Sequence, residues 1–119
     1  MKVLLDTTNK NSTAMDKTTV TEVLNYLKST LVANGINDTN IALFGSALTG
    51  TMHKDSDIDI IIISKSFEDK NIFERVDMTV KPEIEVRRKY NNIPMDILTM
   101  SPQEYKRSKE VFFESEIIL

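Results

Sequence analysis

Apolar positions recur at two different periods along this chain, and the switches between them mark out its elements. Val20, Val23, Leu24, Leu27 and Leu31 are spaced three and four apart, the stripe of an amphipathic helix. Thr19 and Glu22 form a capping-box pattern at its start, and Gly35 after Asn34 is a stop signal. A first helix is therefore predicted from about Val20 to Asn34. Ile41-Ala42-Leu43-Phe44 is a continuous apolar run closed by Gly45, which predicts a short buried strand. Leu48 to Asp55 has no clean period and predicts a helical turn and a loop. Asp57 to Ile63 alternates Asp with Ile and then runs β-branched, the most secure strand signal in the chain. Ile72, Phe73, Val76 and Val80 return to helical spacing, but Pro82 either breaks that helix or starts another. Ile93 to Leu98 predicts a third strand, with Pro94 near its start. Ser101-Pro102-Gln103-Glu104 is a second capping-box pattern, with proline at the first helical position. It opens a final helix from about Pro102 to Glu114, before a short apolar tail, Ile117 to Leu119.

The order is helix, strand, turn, strand, one or two helices, strand, helix. It implies an α/β (α+β) fold with helices packed on a small sheet. Polar residues from Asp6 to Lys17 imply a loose N-terminal arm, residues 1–18, ahead of a single domain at 19–119. A chain of 119 residues can bury a core but has little surplus for a second lobe, so a substrate site here is expected to be completed from outside.

Composition narrows the function. The formal net charge is −3, whereas a protein that coats nucleic acid is more often basic, so nucleic acid is not expected as a stable ligand. There is no cysteine, which rules out disulfides, thiolate metal sites and a cysteine nucleophile. The apolar start is too short for a signal segment, and the longest purely apolar run, Ile60 to Ile63, is far below membrane-spanning length. The expectation is a soluble, cytoplasmic protein with no membrane association.

The chemistry is concentrated between Gly45 and Ile60. Strand side chains repeat every two residues, so Asp57 and Asp59 are expected on one face. Magnesium is a hard ion that bridges one or two carboxylates to substrate phosphates, and such a pair can share one ion or bracket two. Gly45, directly after a buried strand, lets backbone approach a ligand closely. Ser46 adds a hydroxyl and a backbone N–H suited to phosphate. Asp-x-Asp alone is a weak signal, and so is Gly-Ser alone. Strand, Gly-Ser, ten residues and Asp-x-Asp opening another strand is a much stronger conjunction.

Gly45-Ser46, Asp57 and Asp59 resemble the G-S-x10-D-x-D signature of minimal nucleotidyltransferases in the DNA polymerase beta-like superfamily, and Asp55-Ser56-Asp57-Ile58-Asp59 has the family's spelling. The resemblance covers most of the chain after residue 19, with its specific part between Gly45 and Ile63. It implies a small mixed sheet of the nucleotidyltransferase type. It also implies Asp57 and Asp59 as catalytic metal ligands, Asp96 as third metal-side carboxylate or general base, and Gly45 and Ser46 as triphosphate contacts. Many relatives carry arginine where Thr49 stands. Lys54 or His53 is the nearby cation that would replace it, and Lys54 is counted with the nucleotide-binding residues.

The resemblance implies a nucleotidyltransferase that uses Mg²⁺ or Mn²⁺ and moves a nucleoside monophosphate from an NTP, expected to be ATP, onto an acceptor hydroxyl. Members of this family are often the antitoxin half of a two-gene pair whose other half is a HEPN-type ribonuclease toxin. Relatives that modify aminoglycosides carry an extra substrate domain, so a partner protein is the favoured acceptor. The alternative from another class is a weak or inactive antitoxin of the same fold that binds and masks its partner, a reading encouraged by Thr49. Arg87-Arg88-Lys89 reads as a solvated helix face, and Tyr90 and Tyr105 as packing residues.

Overall fold

A computed structural model describes residues 17–49, 57–111 and 114–119. Its first element is helix α1, Lys17–Ala33. The predicted stripe is its buried face: Val23, Leu24, Leu27 and Leu31 are wholly inaccessible to solvent. Each such side chain contributes about 1.5–3 kcal/mol by leaving water. The helix is already formed at Lys17, so Thr19 lies within it and does not cap it. The stop at Gly35 holds. Gly35 has φ +92°, its N–H donates to Val32 O at 3.0 Å, and Ile36 N–H donates to Leu31 O at 3.0 Å. This is a Schellman closure, with buried Ile36 and Leu31 as its apolar contact.

Four strands follow: β1, Asn40–Phe44; β2, Ile58–Ile63; β3, Met95–Met100; and β4, Ser115–Ile117. They form one mixed sheet in the order β3-β2-β1-β4. β1 is antiparallel to both β2 and β4, while β2 and β3 are parallel. β2 is central and covered on both faces, which is why its sequence is an almost unbroken run of isoleucine. Ile58, Ile60 and Ile62 join α1 in the main core, while Ile61 and Ile63 join Ala42 and Tyr105 on the opposite face. The edge strand β4, which the sequence did not predict, runs into the apolar tail at Ile117 and pairs with β1 from Ala42 to Phe44.

The ambiguous middle resolves into a 3-10 turn, Lys65–Phe67, and one long helix, α3, Ile72–Lys89. Pro82 neither breaks nor starts it. The ring is buried, as are Thr79 and Val86. A capping box at the start offsets part of proline's helix cost of about 3 kcal/mol. In it, Asn71 N–H donates to Glu74 Oε1 at 2.8 Å and Glu74 N–H to Asn71 Oδ1 at 2.9 Å. Asn91 and Asn92, with φ 56° and 59°, turn the chain from α3 into β3. Arg87 is not a solvated charge: its guanidinium donates to Ile93 O at 3.2 Å and Met95 O at 3.4 Å, while Arg88 and Lys89 are exposed. The final helix α4, Pro102–Val111, opens on the predicted capping box. Ser101 N–H donates to Glu104 Oε1 at 2.7 Å, and Glu104 N–H to Ser101 Oγ at 3.2 Å.

Candidate active site

The sheet assembles acidic residues that are far apart in sequence. β2 and β3 run parallel with Asp59 directly beside Asp96. Neighbouring strands lie about 4.8 Å apart, so two carboxylates share one edge of one face. Asp57 sits just before β2 and is exposed, as is Asp96, while Asp59 is half-buried. Burial raises the Asp59 carboxyl above its ordinary range, and the charges of Asp96 and then Asp57 push it the same way. Each of these groups therefore bears on the charge state of Asp59, and a cation placed among them would relieve the repulsion.

Gly45 closes the site from the other side. Phe44 pairs with Asp59 across β1 and β2, which sets the next residue against the Asp59 side chain. Gly45 has φ +65°, a left-handed conformation that glycine adopts without a Cβ penalty. A β-carbon built there would overlap Asp59 Oδ2 and stand 3.1 Å from its Cγ. The turn glycine and the Asp59 carboxylate are thus fitted to each other. Gly45 also begins the short helix α2, Gly45–Thr49, on which Ser46 follows. Lys54, His53 and Gly50 lie outside the described residues, as do the side chain of Thr49 and the loop expected to end at Asp55.

The paired Asp59 and Asp96 offer carboxylate oxygens, donors that suit a hard divalent cation, beside a glycine turn. Among the described residues no three acidic or histidine side chains come close enough to cage an ion by themselves. Such a site needs oxygens from elsewhere, which substrate phosphates supply in magnesium chemistry.

Two arginines hold β3, and with it Asp96, in place: Arg87, which the sequence read only as a solvated charge, and Arg75, which it did not single out. Arg87 ties down the carbonyls of Ile93 and Met95, immediately before Asp96. At the far end Arg75 donates to Phe67 O at 2.8 Å, Thr99 O at 3.2 Å and Glu104 Oε1 at 2.8 Å. Burial alone would raise the Glu104 carboxyl, but the bonds from Arg75 and Ser101 outweigh it and hold the carboxyl below its ordinary value. A lone arginine among charged neighbours carries no sequence signal for such a role, because its carbonyl partners are set by the fold.

Similarity to known proteins agrees with the fold. A protein from Sulfolobus solfataricus, provisionally assigned as a nucleotidyltransferase, superposes with a TM-score of 0.57 at 20% identity, over 87% of each chain. A second provisionally assigned nucleotidyltransferase gives 0.52 at 22% identity, over 84% of this chain and 98% of its own. At these identities the likeness shows the fold. No curated protein matches the chain significantly in sequence. The nucleotidyltransferase domain family matches residues 20–119, nearly the whole chain and all of the site, and the chain belongs to that family.

Proposed function

We propose that the protein transfers a nucleoside monophosphate from ATP, with Mg²⁺ or Mn²⁺, to a hydroxyl of a partner protein, a HEPN-type toxin being the class implied by the family resemblance. The observation that carries this reading is the in-register pairing of Asp59 with Asp96 beside a glycine turn shaped around Asp59. That geometry supports a site where carboxylates meet a triphosphate.

Asp57 and Asp59, with Asp96 beside them, are the residues that would hold the metal. When bound, it supplies charge neutralisation for the triphosphate and for the leaving pyrophosphate. Gly45 and Ser46 would place the phosphates, with Lys54 as the cation in place of the arginine missing at Thr49. The acceptor oxygen forms a bond to the α-phosphorus as the bond to the bridging oxygen breaks and pyrophosphate departs. Asp96, exposed at the start of β3, takes the acceptor's proton. Burial and the charges of Asp96 and Asp57 raise the Asp59 carboxyl, and positive charge placed beside it would favour its ionised form. The remaining work is placement and charge stabilisation, the usual content of phosphoryl transfer. An ATP-consuming reaction of this kind belongs in the cytoplasm; among the described residues no helix is long and apolar enough to cross a membrane.

The test is transfer of label from ATP carrying ³²P at the α-phosphate to a candidate HEPN-type partner in the presence of Mg²⁺. Label is expected on the partner with the wild type and is expected to vanish with Asp57→Ala/Asp59→Ala. A wild type that binds the partner and transfers nothing would falsify the catalytic reading in favour of a masking module.

A further inference from the structure

The sheet ends on β3 at one side and β4 at the other, and among the described residues no strand pairs beyond either. An end strand presents a row of unpaired N–H and C=O groups, on which another chain can add a strand. β3 suits such pairing, with Ile97, Leu98, Thr99 and Met100 in succession.

The register shows which groups face outward, because main-chain polar groups point to alternate sides along a strand. Ile58 N–H donates to Pro94 O and Ser64 N–H to Met100 O, both at 3.0 Å, so the even-numbered residues of β3 face β2. Met95, Ile97 and Thr99 therefore direct their carbonyls to the open side. Arg87 donates to Met95 O at 3.4 Å, and to Ile93 O, just ahead of the strand, at 3.2 Å. Arg75 donates to Thr99 O at 3.2 Å. Its remaining bonds, to Lys70 O at 3.0 Å, Phe67 O at 2.8 Å and Glu104 Oε1 at 2.8 Å, fix that guanidinium against the edge.

The other end strand has the same arrangement. Ile41 N–H donates to Leu119 O at 3.1 Å and Ile118 N–H to Ile41 O at 2.8 Å, so Ile41 and Leu43 of β1 face β4. Leu43 pairs with Glu116, which leaves Ser115 and Ile117 turned outward. Lys109 of α4 donates to Ser115 O at 2.8 Å. Arginine and lysine have donors and no acceptor, so each satisfies a carbonyl and offers nothing to the N–H groups of an arriving strand. A strand adding at β3 must first displace both guanidiniums.

We infer that Arg75, Arg87 and Lys109 guard the two edges of the sheet, holding outward carbonyls of β3 and β4 so that a strand of a second copy of this chain cannot add there. Beyond seating β3, the arginines keep the chain from joining sheet to sheet.

Proline supplies a test that separates edge pairing from loss of stability. At position 97 it removes an outward N–H and none of the bonds to β2, so it blocks strand addition and leaves the ladder whole. Full-length Arg87→Met is expected to raise the weight-average mass in sedimentation velocity by about twofold or more over the wild type at the same concentration, with a gain of intermolecular β-sheet by infrared spectroscopy. Arg87→Met/Ile97→Pro is expected to sediment as the wild type does. Lys109→Met, at an exposed position of α4, repeats the test at β4, with Ile117→Pro as its block. It decides the matter if circular dichroism shows that Arg87→Met does not fold. If either folded single variant sediments as the wild type does, or if its association persists with the proline in place, the inference is overturned.

Discussion

Gly45→Ala is the perturbation that most directly probes how the site is built. Alanine at φ +65° costs about 1–2 kcal/mol for the left-handed conformation alone. Its methyl also overlaps Asp59 Oδ2 and presses on Cγ at 3.1 Å, and relieving an overlap of this kind costs about 1–3 kcal/mol more. The expected total is about 2–5 kcal/mol. Two controls separate the parts. Gly35 also has positive φ, +92°, but a β-carbon there meets nothing within 4 Å, so Gly35→Ala carries only the conformational share. Asp59→Ala removes the overlapping carboxylate while keeping a Cβ 3.5 Å from the added methyl, an ordinary contact. In that background Gly45→Ala should cost no more than Gly35→Ala. Urea unfolding of the two single variants, the double variant and the wild type gives the interaction energy, provided the m-values agree. A coupling of about 1–3 kcal/mol is expected. Additivity to within about 0.5 kcal/mol would refute the idea that glycine is required at position 45 by the carboxylate beside it.

Other consequences follow from the same contacts. The Asp59 carboxyl is raised in the folded state, so folding is penalised once the unfolded chain ionises it. That penalty is absent at pH below the ordinary carboxylate value and grows as pH rises through the raised one. Asp59→Asn should therefore match the wild type in acid and be the more stable protein at neutral pH, and parallel stability–pH curves for the two would contradict this. Arg87→Met, which frees the carbonyls of Ile93 and Met95, should lower stability by about 1–3 kcal/mol in urea unfolding and reduce nucleotidyl transfer by misplacing Asp96. Arg75→Met should cost about 2–4 kcal/mol, since it strips Thr99 O, Phe67 O and Glu104 of a shared charged donor; a loss below 1 kcal/mol would count against the clamp. Ser101→Ala should cost about 1 kcal/mol in thermal or urea unfolding, the usual worth of a helix N-cap.

Local signals translated well wherever the physics was local. The stripe from Val20 to Leu31 became the buried face of α1, Gly35 closed that helix through its left-handed backbone, and Ser101 with Glu104 capped α4. The same reasoning failed where distant partners intervene. Thr19 and Glu22 spell a capping box, yet the helix extends past them to Lys17. Pro82 reads as the end of one helix or the start of another, yet its ring is buried within a single capped helix, α3. The helical spacing of Ile72, Phe73, Val76 and Val80 identifies the helix but not the side that faces the core. That face belongs to Thr79, Pro82 and Val86, which are buried in the packed helix, and only packing decides which side is covered.

For the candidate site, sequence alone was enough to nominate Gly45, Ser46, Asp57 and Asp59, since their spacing and the alternation of a strand are properties of adjacent residues. It could suggest Asp96 only through family resemblance. Thirty-six intervening residues separate Asp59 from Asp96, and nothing in them encodes a register. The parallel pairing of β2 with β3 supplied it, with Arg87 holding the start of the second strand. The fit between Gly45 and the Asp59 carboxylate was likewise decided by the pairing of Phe44 with Asp59. Sequence pattern sets which elements form, because propensity and periodicity act over a few residues. Which side chains finally meet depends on strand order and register, and those arise only when the elements pack.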